Sequence, residues 1–172
     1  MLKNILYCFI IVFTFYGCSS IDQAESLYRQ GENEKALEMA LNFLDNDDSK
    51  IRLRAVRLVG KVGGENAGSA LRQRIMDPDS KVQKEVIKNL GKLKYEPAME
   101  DLVDLVPDSD EGLIRVIGGA FANYGESGID MLVERYEDPN EKASRRAFKQ
   151  TLILVGPSVA PSITKNLRGK SF

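Results

Sequence analysis

Few side chains in this sequence could do chemistry, and their types narrow the possibilities at once. None of the 172 residues is a histidine, which removes the usual general base near neutral pH and the commonest metal ligand. Carboxylates remain: Glu100 with Asp104, and Asp130 with Glu134 and Glu137, recur at helical spacings of three and four. Such pairs can perform acid–base catalysis, but only where burial or coupling tunes them. Nothing around them suggests a closed pocket, so they read as solvated acids or as a docking trough. No catalytic residue, metal ligand or cofactor is assigned, and a non-enzymatic role is the expectation. The other reactive groups are two thiols, Cys8 and Cys18, both within the first eighteen residues. No disulfide framework can therefore staple the body.

The setting of Cys18 is informative. Lys3 gives a positive start, and "ILYCFIIVFTFY" from Ile5 to Tyr16 is then free of charge. A spanning helix needs about 20 apolar residues, so this shorter run suits a signal-peptide core. Gly17 precedes Cys18, and Ser19 and Ser20 follow. The arrangement resembles the lipobox of bacterial lipoproteins, although Phe15 replaces the usual leucine and Tyr16 is bulkier than the pattern. The resemblance implies a signal peptide over 1–17, acylation of Cys18, and export to the cell membrane or outer membrane. The other reading is an uncleaved membrane segment in which Cys18 is incidental; Cys8 reads as an apolar filler within the run. With each buried methylene contributing about 0.8 kcal/mol, several acyl chains would hold the chain durably. Residues 18–21 then form a short tether that keeps the body within about 15 Å of the bilayer.

What must position any functional residue is a repeat. "DSKIRLRAVRLVGKVG" from Asp48 is echoed 31 residues later by "DSKVQKEVIKNLGKLK" from Asp79. Val59, Leu90, Phe121 and Leu152 share one column, and Ala40, Leu71, Leu102 and Val133 another. Gly63, Lys94, Gly125 and Gly156 close each first segment. Apolar residues recur at three and four within a segment, as in Ile51, Ala55, Leu58, Val59 and Val62, which predicts amphipathic helices. Ser49 and Ser80 are expected as N-caps, and Pro97 and Pro161 as starts of second helices. No sustained period-two alternation predicts a sheet.

Two short helices cannot bury an apolar face alone, so neighbouring pairs must stack. The pattern over Asp48 to Leu167 resembles HEAT-like repeats of the phycobilisome-lyase type. "AESLYRQGENEKALEMALNFL" looks like a tetratricopeptide hairpin turning at Gly31. The expected fold is all-α: a right-handed α-solenoid of about five stacked helix pairs. It would run as a divergent capping pair over 22–47, repeats over 48–168 and a tail over 169–172. At roughly 9 to 10 Å per pair the stack would be about 45 to 50 Å long.

Charge is sorted within this plan, although lysine and arginine (24) almost balance aspartate and glutamate (25). First helices are basic. Lys50, Arg57 and Lys61 repeat at Lys81, Lys88 and Lys92, and the stripe ends at Gly112, Gly119 and Asn123. Second helices are acidic, with Glu100, Asp104, Asp130 and Glu134 the candidate trough. The resemblance implies that first helices lie on the convex side and second helices on the concave side. The basic ridge is either a solvated face or a landing strip for phospholipid head groups, an acidic glycan or an acidic protein. In "RVIGGAFANYG", Gly118 and Gly119 point either to a close neighbouring helix or to a partner docked on small residues. The resemblance brings bilin lyases, di-iron hydroxylases and DNA-repair proteins into view. Export argues against the first, missing histidine against the second, and an acidic trough against the third.

The expectation is a membrane-anchored, non-catalytic scaffold or adaptor in the bacterial envelope. Its partners would be another envelope protein and, through acylated Cys18, the bilayer, with no nucleic acid and no small-molecule substrate. The alternative is an anionic lipid- or glycan-binding protein that uses the basic ridge.

Overall fold

The computed structural model describes residues 20–161 and 164. Among them the chain is helical, with no strand. It runs α1 (Ile21–Arg29), α2 (Asn33–Leu41), α3 (Ser49–Val62), α4 (Glu65–Arg72), α5 (Ser80–Leu93), α6 (Met99–Asp104), α7 (Glu111–Tyr124), α8 (Glu126–Glu137) and α9 (Arg145–Val155). Short 3₁₀ turns at Glu96–Ala98, Val106–Asp108, Pro139–Glu141 and Gly156–Val159 fill the connections. The pairs α1–α2, α3–α4, α5–α6 and α7–α8 follow the 31-residue period, and α9 opens a fifth that continues through the Gly156–Val159 turn and is described only in part. This is an α-solenoid. Residues 1–19 and 165–172 also lie outside them, and with them Cys18, its signal sequence and the tail. No described helix is long and apolar enough to cross a membrane.

The sequence columns become the core. Val59, Leu90, Phe121 and Leu152 are buried from repeat to repeat, as are Ala40, Leu71, Leu102 and Val133. Ala36, Ala67, Ala98 and Ile129 are buried too, whereas Ala160 in the same column is exposed. A single apolar cluster extends from Ile21 on α1 to Val155 on α9. Each fully buried aliphatic or aromatic side chain contributes about 1.5–3 kcal/mol. Most of these contacts cross between helix pairs, so the stack depends on its neighbours.

Capping falls one residue earlier than expected. Asp48 and Asp79, not Ser49 and Ser80, cap α3 and α5: Asp48 accepts from the Lys50 amide at 2.8 Å, and Asp79 from those of Lys81 and Val82. Asp110 does the same for α7 through the Leu113 amide. A carboxylate adds charge to the N-terminal dipole interaction, which a serine cannot. These amides hold the Asp79 carboxyl below the usual range. Pro97 sits in the 3₁₀ turn that leads into α6, as its missing N–H suggests.

Along the row of long helices, α3 packs on α5, α5 on α7 and α7 on α9. The shorter helices α2, α4, α6 and α8 meet one another far less. Glycines permit the close contacts of the long row: a Cβ on Gly60 would strike the Asn89 side chain, and one on Gly91 the Ala120 backbone. The long helices present one row of flanks and the shorter helices the other.

Candidate functional site

Charged side chains in this stack do two separate jobs. Arginines knit one pair to the next. Arg52 is buried on α3 and grips buried Asp77 with two bonds, Nε and Nη2 each at 2.9 Å from a carboxylate oxygen. Its Nη1 also donates to the backbone carbonyls of Asn46 and Asp47. Arg74 adds a bond to Asp77 at 2.7 Å, and the Asp79 amide another at 2.9 Å. Burial alone would push the Asp77 carboxyl up, but the two guanidiniums and the amide bring it down to about 2. A carboxylate this well bonded stays charged in the fold. The group is a structural fastener.

The same logic recurs along the molecule. Arg54 on α3 reaches back to Asp22 and Glu25 on α1, and its bonds hold the Glu25 carboxyl below its ordinary range. Arg72 pairs with Asp101, and Arg74 also with Asp45. Arg135 on α8 reaches Glu100 and Asp104 on α6, and Glu141 beyond its own helix. Two of the five bases on the first basic helix, Arg52 and Arg54, are thus consumed internally.

The proposed acidic trough is changed by this. Glu100 and Asp104 are exposed, but both carry Arg135 as a counter-ion. Glu134 is exposed, and Asp130 is half-buried on the same helix. The four lie on the row of shorter helices, where Arg135 bridges Glu100 and Asp104.

The six bases of the stripe behave differently. Lys50, Arg57, Lys61, Lys81, Lys88 and Lys92 are all exposed. Lys88 lies 3.6 Å from Glu85 on its own helix. The other five form no ion pair among the described residues. Positions seven and eleven residues after the first return to the same side of a helix at 3.6 residues per turn. The structure therefore places three bases on α3 and three on α5, and α3 packs directly on α5. At the α1 end the face runs into a cleft of about 370 Å³ lined by Tyr28, Arg29, Arg54, Arg57, Lys61 and Glu25. Glu25 is already held there by Arg54. Arg29 and this cleft were not legible in the sequence, because they depend on how α1 lies against α3.

The two glycines of "RVIGGAFANYG" part company. Gly118 is buried against Thr151 and Leu154 of α9, so close helix packing explains it. Gly119 faces open space, with nothing within 4 Å of a Cβ built there. It continues the face of the basic stripe at the point where the charge ends.

With this geometry in place, the chain can be set beside known proteins. Residues 37–117 match the family model described as HEAT repeats. That part of the stack is HEAT-like. The match spans α3, α4, α5 and α6 with parts of α2 and α7, and so includes the whole basic stripe. Two engineered proteins solved by the Northeast Structural Genomics Consortium are similar in structure. One is 19% identical, over 70% of this chain and 37% of its own, with a TM-score of 0.43. The other is 18% identical, over 84% of this chain and 72% of its own, with a TM-score of 0.46. This chain thus spans little more than a third of the length of the first. No curated protein matches the sequence.

Proposed function

We propose that this HEAT-like stack is a lipid-anchored, non-catalytic scaffold that holds an envelope protein against the membrane. One observation carries the proposal: the core lies between helix pairs, so both rows leave long solvent-facing flanks, and one flank has unpaired cations. An extended flank can supply the roughly 800 Å² per partner that a stable contact buries. The leader and Cys18 support the anchor through their sequence, as a run of signal-peptide length before a cysteine that resembles the lipobox. Anchoring on the cell membrane or outer membrane would confine the search for a partner to the bilayer surface.

The alternative, adhesion to anionic lipid or acidic glycan through Lys50 to Lys92, draws on the same side chains. The test is purification of the intact chain from gently solubilised membranes, followed by mass spectrometry. A defined protein that stays bound at moderate salt, and is lost to Cys18→Ala because the chain leaves the membrane, is the expected result. A chain that carries only lipid, or a Cys18→Ala chain that remains in the membrane fraction, would count against the scaffold or the anchor respectively.

A further inference from the structure

Resting on the scaffold reading, we infer that the exposed basic face of α3 and α5, with the cleft between α1 and α3, is a docking surface for an acidic segment of a protein partner. The bases divide their labour. Arg52, Arg54, Arg72, Arg74, Arg115 and Arg135 each have an acidic counter-ion. Lys50, Arg57, Lys61, Lys81 and Lys92 share one face and have none among the described residues. A face that served solubility alone would intersperse the two signs. Here Glu85 is the one acid among the bases of α5, and nearby acids such as Asp22, Glu25 and Asp77 are already bound by arginine. The positive charge is therefore available to a partner.

The shape of the face agrees. Lys50 to Lys61 spans eleven residues of one helix, about 16 Å, and the parallel set on α5 lies one helix diameter away, about 10 Å. The cleft extends the face past Arg57 and Lys61 to Arg29, while its one acid, Glu25, is already held by Arg54. Such a patch accommodates two or three turns of a helix or a short extended segment. Arginine at Arg29 and Arg57 supplies the planar fork that binds carboxylate with two bonds, and Tyr28 adds a phenolic hydroxyl. Beyond α5 the face loses its charge at Gly112, Gly119 and Asn123, then reaches exposed Leu154 on α9. The fitting segment carries its carboxylates opposite α3 and α5, and neutral or apolar residues towards α9.

The probe is a fluorescent glutamate-rich peptide, added to the full chain in detergent and compared with a glutamine-rich peptide of the same length. The glutamate peptide should bind more tightly, and more weakly as salt shortens the screening length from about 10 Å at 0.1 M towards about 3 Å at 1 M. Reversing Arg57, Lys61, Lys88 and Lys92 to glutamate together should weaken binding by roughly tenfold or more, at about twofold to fivefold per lost exposed pair. Reversing Lys35, Lys142 and Arg146, which lie elsewhere, should leave it unchanged. The salt titration of the wild-type chain needs no mutant to fold. Equal binding of the two peptides would overturn the inference. So would equal weakening by the two sets of reversals, or displacement of the peptide by phosphatidylglycerol vesicles that bind the same face more tightly. An envelope partner recovered equally by wild type and the fourfold reversal would remove this inference and leave the scaffold standing. Peptide binding with no protein partner in the membrane would do the opposite.

Discussion

At the residue scale, charge is either spent or kept. Asp77 shows what spending means. Its carboxyl falls from an ordinary 3.8 to about 2, because Arg52, Arg74 and the Asp79 amide outweigh the effect of burial. A depressed carboxylate stabilises the fold above its unfolded pKa, and that contribution is lost as pH falls from about 4 through about 2. The difference amounts to about 2 kcal/mol. Asp77→Asn should cost about 3–5 kcal/mol at pH 7, because it leaves Arg52 buried without its partner. In urea unfolding, the gap between variant and wild type should narrow between pH 4 and pH 2. A gap of constant size would show that the pair contributes nothing through ionisation. Lys94 is a second local test. It is the single described non-glycine residue at positive φ, at 51°, and it ends α5. Its amide donates to the Gly91 carbonyl and that of Tyr95 to the Leu90 carbonyl, the paired bonds of a helix end that glycine ordinarily closes. The left-handed turn costs about 1–2 kcal/mol for a residue with a Cβ. Part of the gain is returned through the freer unfolded chain, about 0.4–1 kcal/mol. Lys94→Gly should therefore raise stability by about 0.5 kcal/mol, whereas Lys94→Val should lower it.

At the scale of elements, the question is why α3, α5, α7 and α9 approach so closely. The answer lies in glycines at the contacts, Gly60 and Gly91 in one column and Gly118 against α9, and it can be tested by exchange. Gly60 accepts the Asn89 side chain in the space where a Cβ would stand, 2.3 Å from the Asn89 Cγ. Asn89 gains little from its own hydrogen bond, which reaches the Val56 carbonyl only at 3.5 Å. Gly60→Ala alone should cost about 1–3 kcal/mol through overpacking. In an Asn89→Ala background the same change should cost less than about 0.5 kcal/mol, or stabilise, since alanine favours helix over glycine by about 1 kcal/mol. A double-mutant cycle from thermal or urea melts gives the coupling; additive effects would mean that the two residues do not share this space. Much of this architecture was legible in the sequence, because a 31-residue period in apolar columns leaves neighbouring pairs no other way to hide them. The caps were misplaced by one residue, since Asp48 and Ser49 are both good capping types and only the backbone turn chooses between them. The division of the bases into fasteners and an open face was hidden. Arg52 meets Asp77 across 25 positions and Arg135 meets Asp104 across 31, and no local pattern distinguishes a base that will be paired across the stack from one that will not.

At the scale of the whole molecule, the relevant property is that each helix pair touches mainly its neighbours. Such stacks gain stability interface by interface, so a single weak interface can let one end open while the other persists. The α5–α7 contact is the place to break it. A Cβ on Gly91 would lie 2.5 Å from the Ala120 Cα and 3.1 Å from its carbonyl oxygen, so the obstacle is backbone and no rotamer can clear it. Gly91→Ala must push α7 away from α5. The buried layer of Leu90, Ile117, Ala120 and Phe121 then loses its fit. Hydrogen exchange on the full-length variant should show amides in α7, α8 and α9 exposed together, by at least about 1–3 kcal/mol of lost protection. Those of α3 and α4 should hold close to wild type, because their interface with α5 and the Arg52–Asp77 fastener lie on the other side of the break. Binding of a glutamate-rich segment should survive too, since the bases sit on α3 and α5. If protection instead falls evenly from α1 to α9, the chain unfolds as one unit, and the description of stability as a sum of separate interfaces fails for it.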